Sequence, residues 1–391
     1  MHAGVRLQRS RAHPKLRTAM TESETASPRK ALEQAKRIVV KIGSRAITQG
    51  DKPGEGRFQS IADQIIELRK LGRTVILVSS GAVAMGCQKL GITTRPKLIA
   101  ELQAAAAIGQ PRLLQAYEAA FASANIPVAQ LLLTHAEVSD RRRYLNARAA
   151  LDAMLELGAV PIINENDTVS TEELQFGDND QLAAMVAPLV GADLLVLLTD
   201  VEGLLDQEKQ RIPLVSDFEQ VEPLIWAKDN ALSVGGMGSK VSAARQACQV
   251  GLPVVIGPAR DPEVLRKVAT GEDVGTLFLP AGAALASRKY WIAYTRKMRG
   301  SLVVDEGALR AVVSQKRSLL PAGIVSVRGA FRAGDAVSIV SPDGREVARG
   351  LVRYDARDVE RLLGARSEHI EERLGFHRGD EIVHRDDLVV L

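Results

Sequence analysis

Short apolar runs alternate with helical patterns from residue 37 to about residue 280, and this alternation restricts the fold more than any other feature of the chain. Runs that are apolar on both faces are typical of parallel strands, and the helices between them cover the two faces of such a sheet. The pattern therefore predicts an α/β domain with a mainly parallel sheet sandwiched by helices. The predicted strands are Arg37 to Lys41, Thr74 to Val78, Pro127 to Leu132, Val160 to Asn164, Leu194 to Thr199 and Pro253 to Gly257.

Two amphipathic helices can be placed between these runs. Ile61, Ile65 and Leu68 recur at helical spacing, and Tyr144 to Leu157 carries a second helical pattern that ends near Gly158. The domain boundaries then follow from changes in composition. We expect the α/β domain to cover residues 37 to 280.

The rest of the chain has a different texture. Residues 281 to 300 mix small and basic residues, which indicates a linker, and residues 301 to 391 contain short apolar runs separated by glycines, which predicts a compact β-rich domain. We expect residues 1 to 36 to form an extension without fixed structure. Its first 20 residues have no apolar run, so we expect neither a secretory signal nor a membrane anchor. An organellar transit peptide and a chain that starts at Met20 both fit, and we favour the second.

The distribution of charge argues against a nucleic-acid-binding surface. The formal net charge is +4, and a basic group without acidic neighbours lies in the first 20 residues: Arg6, Arg9, Arg11, Lys15 and Arg17. The remainder is close to neutral, whereas nucleic-acid binders concentrate positive charge on a folded surface. Cys87 and Cys248 are the two cysteines, which excludes a disulfide framework or a cysteine-based zinc cluster and fits a reducing, cytoplasmic compartment.

Two predicted strands end in glycine turns. Lys41 ends the first strand and is followed by Gly43, and the second strand runs into Ser80 and Gly81. Backbone amides in such turns can face phosphate, and ligands of open parallel sheets bind at the carboxyl ends of the strands. Taken singly, these residues are better explained as a solvated lysine at a strand end and a serine helix cap.

A dense group of short polar side chains follows the apolar run AVPII. It comprises the segments INEND and FGDND, which contain Asn164, Glu165, Asn166, Asp167, Asp178, Asn179 and Asp180. Carboxylates can accept hydrogen bonds from a substrate ammonium group, and asparagine amides can hold a substrate carboxylate. We interpret the group as an amino-acid site, with an acidic surface loop as the alternative.

Two further segments suit a nucleotide. A strand ends at Thr199 and Asp200, and the segment VGGMGSK at 234 to 240 leads into a helix. A helix N-terminus favours an anion, and Lys240 in its first turn adds a positive charge. The segment is not a Walker A loop, because its glycine spacing differs and no Ser or Thr follows the lysine. An ordinary strand exit would also explain Thr199 and Asp200.

In this order, VVKIGSRAI, SSGAVAMG, RRRYLNAR, INEND, FGDND, LLTDVEGL and GGMGSK resemble the amino acid kinase family. INEND with GDND is most similar to the members that phosphorylate glutamate, since siblings acting on acetylglutamate, aspartate, carbamate or UMP share the lysine and glycine segments more than these. The resemblance implies the amino acid kinase fold for the α/β domain. It also implies ATP as the phosphoryl donor and L-glutamate as the acceptor.

The resemblance assigns roles to the matching residues. It implies that Lys41, Lys240 and Asp178 are catalytic and that the substrate is held by Ser80, Asp167, Asn179 and Asp180. For the ATP site it implies Lys41, Thr199, Asp200, Gly235, Gly236, Met237, Gly238, Ser239 and Lys240. No protein ligand for a metal is implied, since Mg²⁺ would be carried by ATP.

The C-terminal segment, from SLVVDEGALRAVV to VHRDDLVVL, resembles the PUA domain, a small β-rich pseudo-barrel. Residues 301 to 391 hold 14 Lys plus Arg and 15 Asp plus Glu. This balance does not favour phosphate contacts, so the resemblance alone does not imply RNA binding.

The reaction implied is ATP-dependent phosphorylation of the glutamate side-chain carboxylate to L-glutamyl 5-phosphate, the first step of proline biosynthesis. The carboxylate is already ionised at neutral pH, so in-line attack needs no general base and no covalent enzyme intermediate. A homo-oligomer, feedback inhibition by proline and a glutamyl phosphate reductase as partner are implied by the resemblance alone. The alternatives are an acetylglutamate or UMP kinase, and an RNA-binding or regulatory protein that acts through the C-terminal domain.

Overall fold

The computed structural model describes residues 28–48, 56–169, 179–226, 236–280 and 298–391. The chain divides into two compact units, Met1–Ala284 and Leu285–Leu391, and each is described by itself. Among the described residues, no helix is both long and apolar enough to cross a membrane.

The first unit is built on one large sheet. Its strands are β1 (Arg37–Ile42), β2 (Thr74–Ser79), β3 (Val128–Leu133), β4 (Val160–Glu165), β5 (Leu194–Thr199), β6 (Leu214–Val215), β7 (Val254–Pro258) and β8 (Thr276–Phe278). They form an eight-stranded sheet in the order β3-β4-β2-β1-β5-β7-β8-β6. Neighbouring strands are parallel except β7 and β8, which are antiparallel. The predicted fold class is confirmed.

The six predicted strands agree with the structure to within one residue at each end. The strands β1, β2, β4, β5 and β7 are almost entirely buried, which is why their sequence pattern is so clear, whereas the edge strand β3 is mostly half-buried. The strands β6 and β8 were not predicted. They are only two and three residues long, too short to produce a periodic pattern.

Helices cover both faces of this sheet. They are α1 (Ser44–Thr48), α2 (Arg57–Lys70), α3 (Ala82–Lys89), α4 (Ile99–Phe121), α5 (His135–Ser139), α6 (Arg141–Glu156), α7 (Asn179–Leu189), α8 (Glu222–Trp226), α9 (Met237–Gln249) and α10 (Val264–Ala269). Helix α6 begins three residues before the predicted start, because the Asp140 side chain caps it by accepting a hydrogen bond of 2.9 Å from the Arg143 amide.

Two separate apolar cores lie on the two faces of the sheet. Successive residues of a strand point to opposite faces, so Val39 packs into one core while Ile38 and Val40 pack into the other. The first core is closed by α6, α7 and α9, and the second by α2, α4 and α10.

Helix α4 was not predicted, although it is the longest described helix of the unit. Pro111 lies inside it and reads in the sequence as a helix end. The helix packs closely on α3, because a Cβ atom at Gly109 would lie 1.8 Å from the Ala82 carbonyl oxygen and one at Gly86 would lie 1.8 Å from the Ala105 carbonyl oxygen. Two glycines thus let the backbones of α3 and α4 touch.

Residues 28 to 36 belong to the folded unit, which corrects the prediction that the whole of 1 to 36 lacks fixed structure. Pro28–Gln34 forms a 3₁₀ helix, and Leu32 is fully buried in the core that contains Ile38. The buried Arg29 guanidinium donates to the carbonyl oxygens of Val274 and Pro213, each at 2.8 Å. Residues 1 to 27 lie outside the described part of the chain.

The second unit contains a mixed five-stranded sheet. Its strands are β9 (Met298–Val304), β10 (Ile324–Gly329), β11 (Ala336–Val340), β12 (Glu346–Val352) and β13 (Val383–Val390), in the order β10-β9-β11-β12-β13. Its helices are α11 (Glu306–Val313), α12 (Ala356–Arg361) and α13 (Ile370–Leu374). Strands and helices share one core around Tyr354. The first strand begins at Met298, inside the stretch expected as a linker, and residues 281 to 297 lie outside the described part of the chain.

Candidate active site

The carboxyl ends of the central strands bring the predicted site residues of the first unit to one edge of the sheet. In β1, Ile42 is in register with Ser79 of β2 and with Leu198 of β5. Lys41 is in register with Val78 and Leu197, so it lies two residues before the loop that begins with Ser80 and before the end of β5 at Thr199. This edge is where open parallel sheets bind their ligands.

A buried carboxylate bridges two lysines at this edge. Asp180 Oδ1 lies 2.5 Å from Lys41 Nζ, and Asp180 Oδ2 lies 3.1 Å from Lys240 Nζ. Asp180 is 0% exposed, and both lysines are buried. Burying a charge is costly unless it is paired, and these three groups together carry a formal excess of one positive charge. The cluster is thus suited to attract an anion.

Three different elements deliver these charges. Lys41 is the penultimate residue of β1, Asp180 lies in the first turn of α7, and Lys240 lies in the first turn of α9. Helix α9 starts after Gly236, which provides no side-chain cap for the first amides of the helix. The dipole of the helix favours an anion at this position. Sequence reasoning named the three residues, and the structure brings them into contact.

A network of side-chain amides adjoins the charged cluster. Asn179 Nδ2 donates to Ser80 Oγ at 2.8 Å, to Asn164 Oδ1 at 2.7 Å and to the Ser79 carbonyl oxygen at 3.2 Å. Asn179 and Asp180 are neighbours in the chain, so the amide network and the lysine pair share one helix start. The structure brings the predicted substrate residues Ser80 and Asn179 together.

Asp167 lies in the turn that follows β4. Burial, together with the neighbouring Glu165 carboxylate, raises the pKa of Asp167 to about 6, while Arg95 acts in the opposite direction. A carboxylate in such surroundings gains from a cationic partner, because a positive charge offsets both causes of the shift. Asp167 is therefore suited to an ammonium group.

The end of β5 forms the other side of the edge. The Thr199 hydroxyl donates to Asp200 Oδ1 at 3.2 Å. Four residues later the chain is anchored by Thr276, whose Oγ1 accepts from the Leu204 amide at 2.8 Å and donates to the Ile212 carbonyl at 2.7 Å. Gly203 has a φ of +152° and passes so close to Thr276 that a Cβ atom would lie 2.6 Å from Oγ1. The loop after Asp200 is thus held against the sheet.

Comparison with known proteins identifies the family. Residues 36–258 match the model of the amino acid kinase family, and residues 300–374 match that of the PUA domain. The chain belongs to the amino acid kinase family. It is an enzyme of the phosphotransferase class and carries a PUA domain at residues 300–374.

Its relatives cover nearly the whole chain. The glutamate 5-kinase of Geobacter sulfurreducens is 48% identical over 371 residues, covering 92% of this chain and 99% of that protein. The glutamate 5-kinase of Pelobacter propionicus is 44% identical, covering 93% of this chain and 100% of that protein. A solved carbamate kinase from Giardia lamblia, bound to AMP-PNP, is 19% identical with a TM-score of 0.45, covering 63% of this chain and 99% of that one.

Phosphoryl transfer in general proceeds through a transition state with charge spread over the phosphoryl oxygens, and fixed positive charges in a water-poor site stabilise such a state. The buried ammonium groups of Lys41 and Lys240 are two fixed positive charges, and Asp180 contacts both.

The roles of the predicted site residues stay predictions, and two of these residues are not placed by the structure. Asp178 and Gly235 lie outside the described part of the chain, so the structure does not place them. Gly236 immediately precedes α9, and Met237, Gly238 and Ser239 form its start.

Sequence reasoning missed two polar residues of helix α4. Gln110 is buried, and its Oε1 accepts a 2.7 Å hydrogen bond from Asn164 Nδ2. The hydroxyl of buried Tyr117 lies 2.8 Å from Ser79 Oγ. The two residues are two helical turns apart, so they lie on one face of α4. This face contacts Asn164 at the end of β4 and Ser79 at the end of β2. Two polar groups at that spacing in an alanine-rich helix were the available signal, and Pro111 obscured it.

Proposed function

We propose that this chain transfers the γ-phosphoryl group of ATP to the side-chain carboxylate of L-glutamate. The product is L-glutamyl 5-phosphate, so the reaction is the first step of proline biosynthesis. Relatives 44 to 48% identical over nearly their whole length are glutamate 5-kinases, which supports this acceptor. The observation that carries the proposal is the shared helix start at Asn179 and Asp180, which couples an amide network to a lysine pair.

The proposed step needs no covalent enzyme intermediate. A glutamate carboxylate oxygen attacks the γ-phosphorus, the bond to the β–γ bridging oxygen breaks, and ADP leaves with that electron pair. The nucleophile is ionised at neutral pH, so no base has to remove a proton. Catalysis then consists of positioning and charge neutralisation.

The site residues divide into those that hold glutamate, the phosphoryl acceptor, and those that act on ATP, the phosphoryl donor. Ser80, Asn179 and Asp167 hold glutamate, with Asp167 facing its ammonium group. Lys41 and Lys240 neutralise charge on the transferring group, and Asp180 orients them, with Asp178 assigned to the same step. Thr199, Asp200 and the segment from Gly235 to Lys240 hold ATP.

We assign Mg²⁺ to the nucleotide. Asp180 faces two ammonium groups, and such surroundings do not suit a cation as a further partner. The metal would enter with the phosphates and lower their charge. From the resemblance to the glutamate-phosphorylating members of the family we also propose a homo-oligomer, feedback inhibition by proline, and a reductase that consumes the labile acyl phosphate.

A substrate panel tests the function. The purified chain is incubated with MgATP and one acceptor at a time: glutamate, acetylglutamate, aspartate, carbamate or UMP. Hydroxylamine traps any acyl phosphate as a hydroxamate, and ADP release is followed in parallel. We expect hydroxamate and ADP with glutamate. Turnover of acetylglutamate or UMP in the absence of turnover of glutamate would overturn the proposed acceptor, and no turnover at all would overturn the kinase reading.

A further inference from the structure

In the amide network of the candidate site, the hydrogen-bond partners fix which way each side-chain amide is turned. The Ser79 carbonyl oxygen can only accept a hydrogen bond, and it lies 3.2 Å from Asn179 Nδ2. The side-chain amide of Asn179 must therefore turn its nitrogen towards Ser79. The same nitrogen donates to Asn164 Oδ1 at 2.7 Å, which fixes the Asn164 amide as well.

The orientation of Asn164 in turn fixes the orientation of the Gln110 amide in helix α4. With its oxygen facing Asn179, Asn164 presents its nitrogen to Gln110 and donates to Gln110 Oε1 at 2.7 Å. A reversed Gln110 would set two amide nitrogens against each other. The backbone of Ser79 thus determines, through two asparagines, which end of the Gln110 amide faces the network.

The other end of that amide is an unpaired donor. Gln110 is 8% exposed, and within the described ranges its Nε2 is buried without a hydrogen-bond partner. Buried donors without a partner are rare in folded proteins, and each calls for an explanation, such as a bound water, an ion or a functional role. Hydrogen bonds link Asn179 to Asn164 and Asn164 to Gln110, so this donor lies at the end of the amide network opposite to Asn179.

We propose that Gln110 Nε2 donates a hydrogen bond to the α-carboxylate of the amino-acid substrate. The inference rests on the proposed function, because the side-chain carboxylate that is phosphorylated must lie against Lys41 and Lys240. The second carboxylate of the same substrate then points away from the lysines, and we assign it to the Gln110 donor, which the amide network joins to Asn179. Gln110 becomes a substrate-binding residue contributed by α4, in addition to Ser80, Asp167 and Asn179.

Replacing Gln110 with Glu separates this role from a purely structural one. In Gln110→Glu, a carboxylate oxygen still accepts from Asn164, but the donor to the substrate is replaced by an acceptor. We expect the KM for glutamate to rise about tenfold or more while the KM for ATP stays nearly unchanged, and the thermal midpoint to fall because the new carboxylate is buried. Gln115 is exposed on the same helix, so Gln115→Glu is the matched control and should behave as the unmodified chain.

Each outcome decides the question. A glutamate KM within twofold of the unmodified chain, or an equal rise in both KM values, would overturn the proposal. If Gln110→Glu does not fold, Gln110→Met keeps the size and removes both polar atoms, and an unchanged glutamate KM in that variant would overturn it too. The proposed function is tested separately by the unmodified chain, which must form glutamyl hydroxamate before the variants are compared.

Discussion

Asn179 and Asp180 are adjacent in the chain, yet their side chains belong to two different clusters. Asn179 donates to Ser80 and Asn164, and Asp180 bridges Lys41 and Lys240. Because both residues lie at the start of α7, any movement of this helix changes the amide network and the charged cluster together. A substitution that shifts the start of α7 should therefore disturb both clusters.

Replacing Asp180 with Asn should destabilise the fold and reduce turnover. The two buried ammonium groups of Lys41 and Lys240 would lose the carboxylate that compensates them, and breaking a buried ion pair costs about 3 to 5 kcal/mol. Urea unfolding measures the stability, and ADP release measures kcat. The exposed Asp63, changed to Asn, is the control. If Asp180→Asn left both quantities unaltered, the bridge would have no energetic role.

Replacing Lys240 with Met should lower kcat far more than it affects the KM for glutamate. The ammonium group stabilises charge that is greatest in the transition state, so its loss should cost about a hundredfold in kcat. Steady-state kinetics with glutamate varied at saturating MgATP separates the two parameters. Lys267, which pairs with Asp261 at 2.7 Å outside the site, provides the control Lys267→Met. An unchanged kcat in Lys240→Met would remove this lysine from the mechanism.

Activity should depend on the ionisation of Asp167. Its pKa is raised to about 6, so the carboxylate is charged above that pH and neutral below it. Only the charged form attracts the substrate ammonium group, and kcat/KM for glutamate should therefore fall as the pH drops through about 6. In Asp167→Asn this inflection should be absent, and kcat/KM should be low at every pH. A variant that kept the inflection would assign it to another group.

The raised pKa of Asp167 affects the stability of the fold in the opposite direction to its effect on activity. The pKa of Asp167 is higher in the folded chain than its ordinary value of 3.8, so the folded state binds the proton more tightly than the unfolded state does. Stability contributed by this group is present at low pH and is lost as the pH rises towards 6. At pH 7, Asp167→Asn should therefore stabilise the fold by about 1 kcal/mol, after allowance for partial exposure, while impairing activity. Thermal unfolding at pH 5 and pH 7 checks this, and a destabilised variant at pH 7 would contradict it.

Replacing Arg29 with Ala should destabilise the first unit. The guanidinium donates to the carbonyls of Val274 and Pro213 at 2.8 Å and to that of Gly275 at 3.0 Å, and removing it leaves these acceptors without their partner. We expect a loss of about 3 kcal/mol in urea unfolding. The neighbouring Lys30 is exposed on the same 3₁₀ helix, so Lys30→Ala should have little effect. Equal stabilities for the two variants would show that residues 28 to 36 are not needed for the fold.

Much of the fold could be predicted because its central strands are buried on both faces. The runs at β1, β2, β4 and β5 are mostly apolar, because both faces of these strands lie in apolar cores. The short strands β6 and β8 escaped prediction because two or three residues carry no period. Helix α4 escaped because Pro111 usually ends a helix, whereas here the packing of Gly109 on Ala82 keeps the helix continuous.

The site residues were predicted from resemblance, and their arrangement was not. Lys41, Asp180 and Lys240 lie far apart in the sequence, and nothing in their local segments indicates that one carboxylate bridges both lysines. The role of Gln110 was absent from the sequence prediction, because an amide acquires a direction only through its partners. The roles of all predicted site residues remain predictions, and Asp178 and Gly235 lie outside the described part of the chain.

The sequence by itself determined the layer architecture of the first unit, the positions of its six longer strands and the chemical type of each predicted site residue, because these depend on local pattern and side-chain chemistry. The tertiary structure alone decided which groups meet. Parallel register placed Lys41 beside the loop of Ser80 and the end of β5, and the starts of α7 and α9 brought Asp180 and Lys240 within hydrogen-bond distance. Such contacts depend on the relative positions of segments that are distant in the sequence, and these positions are set by packing across the whole sheet.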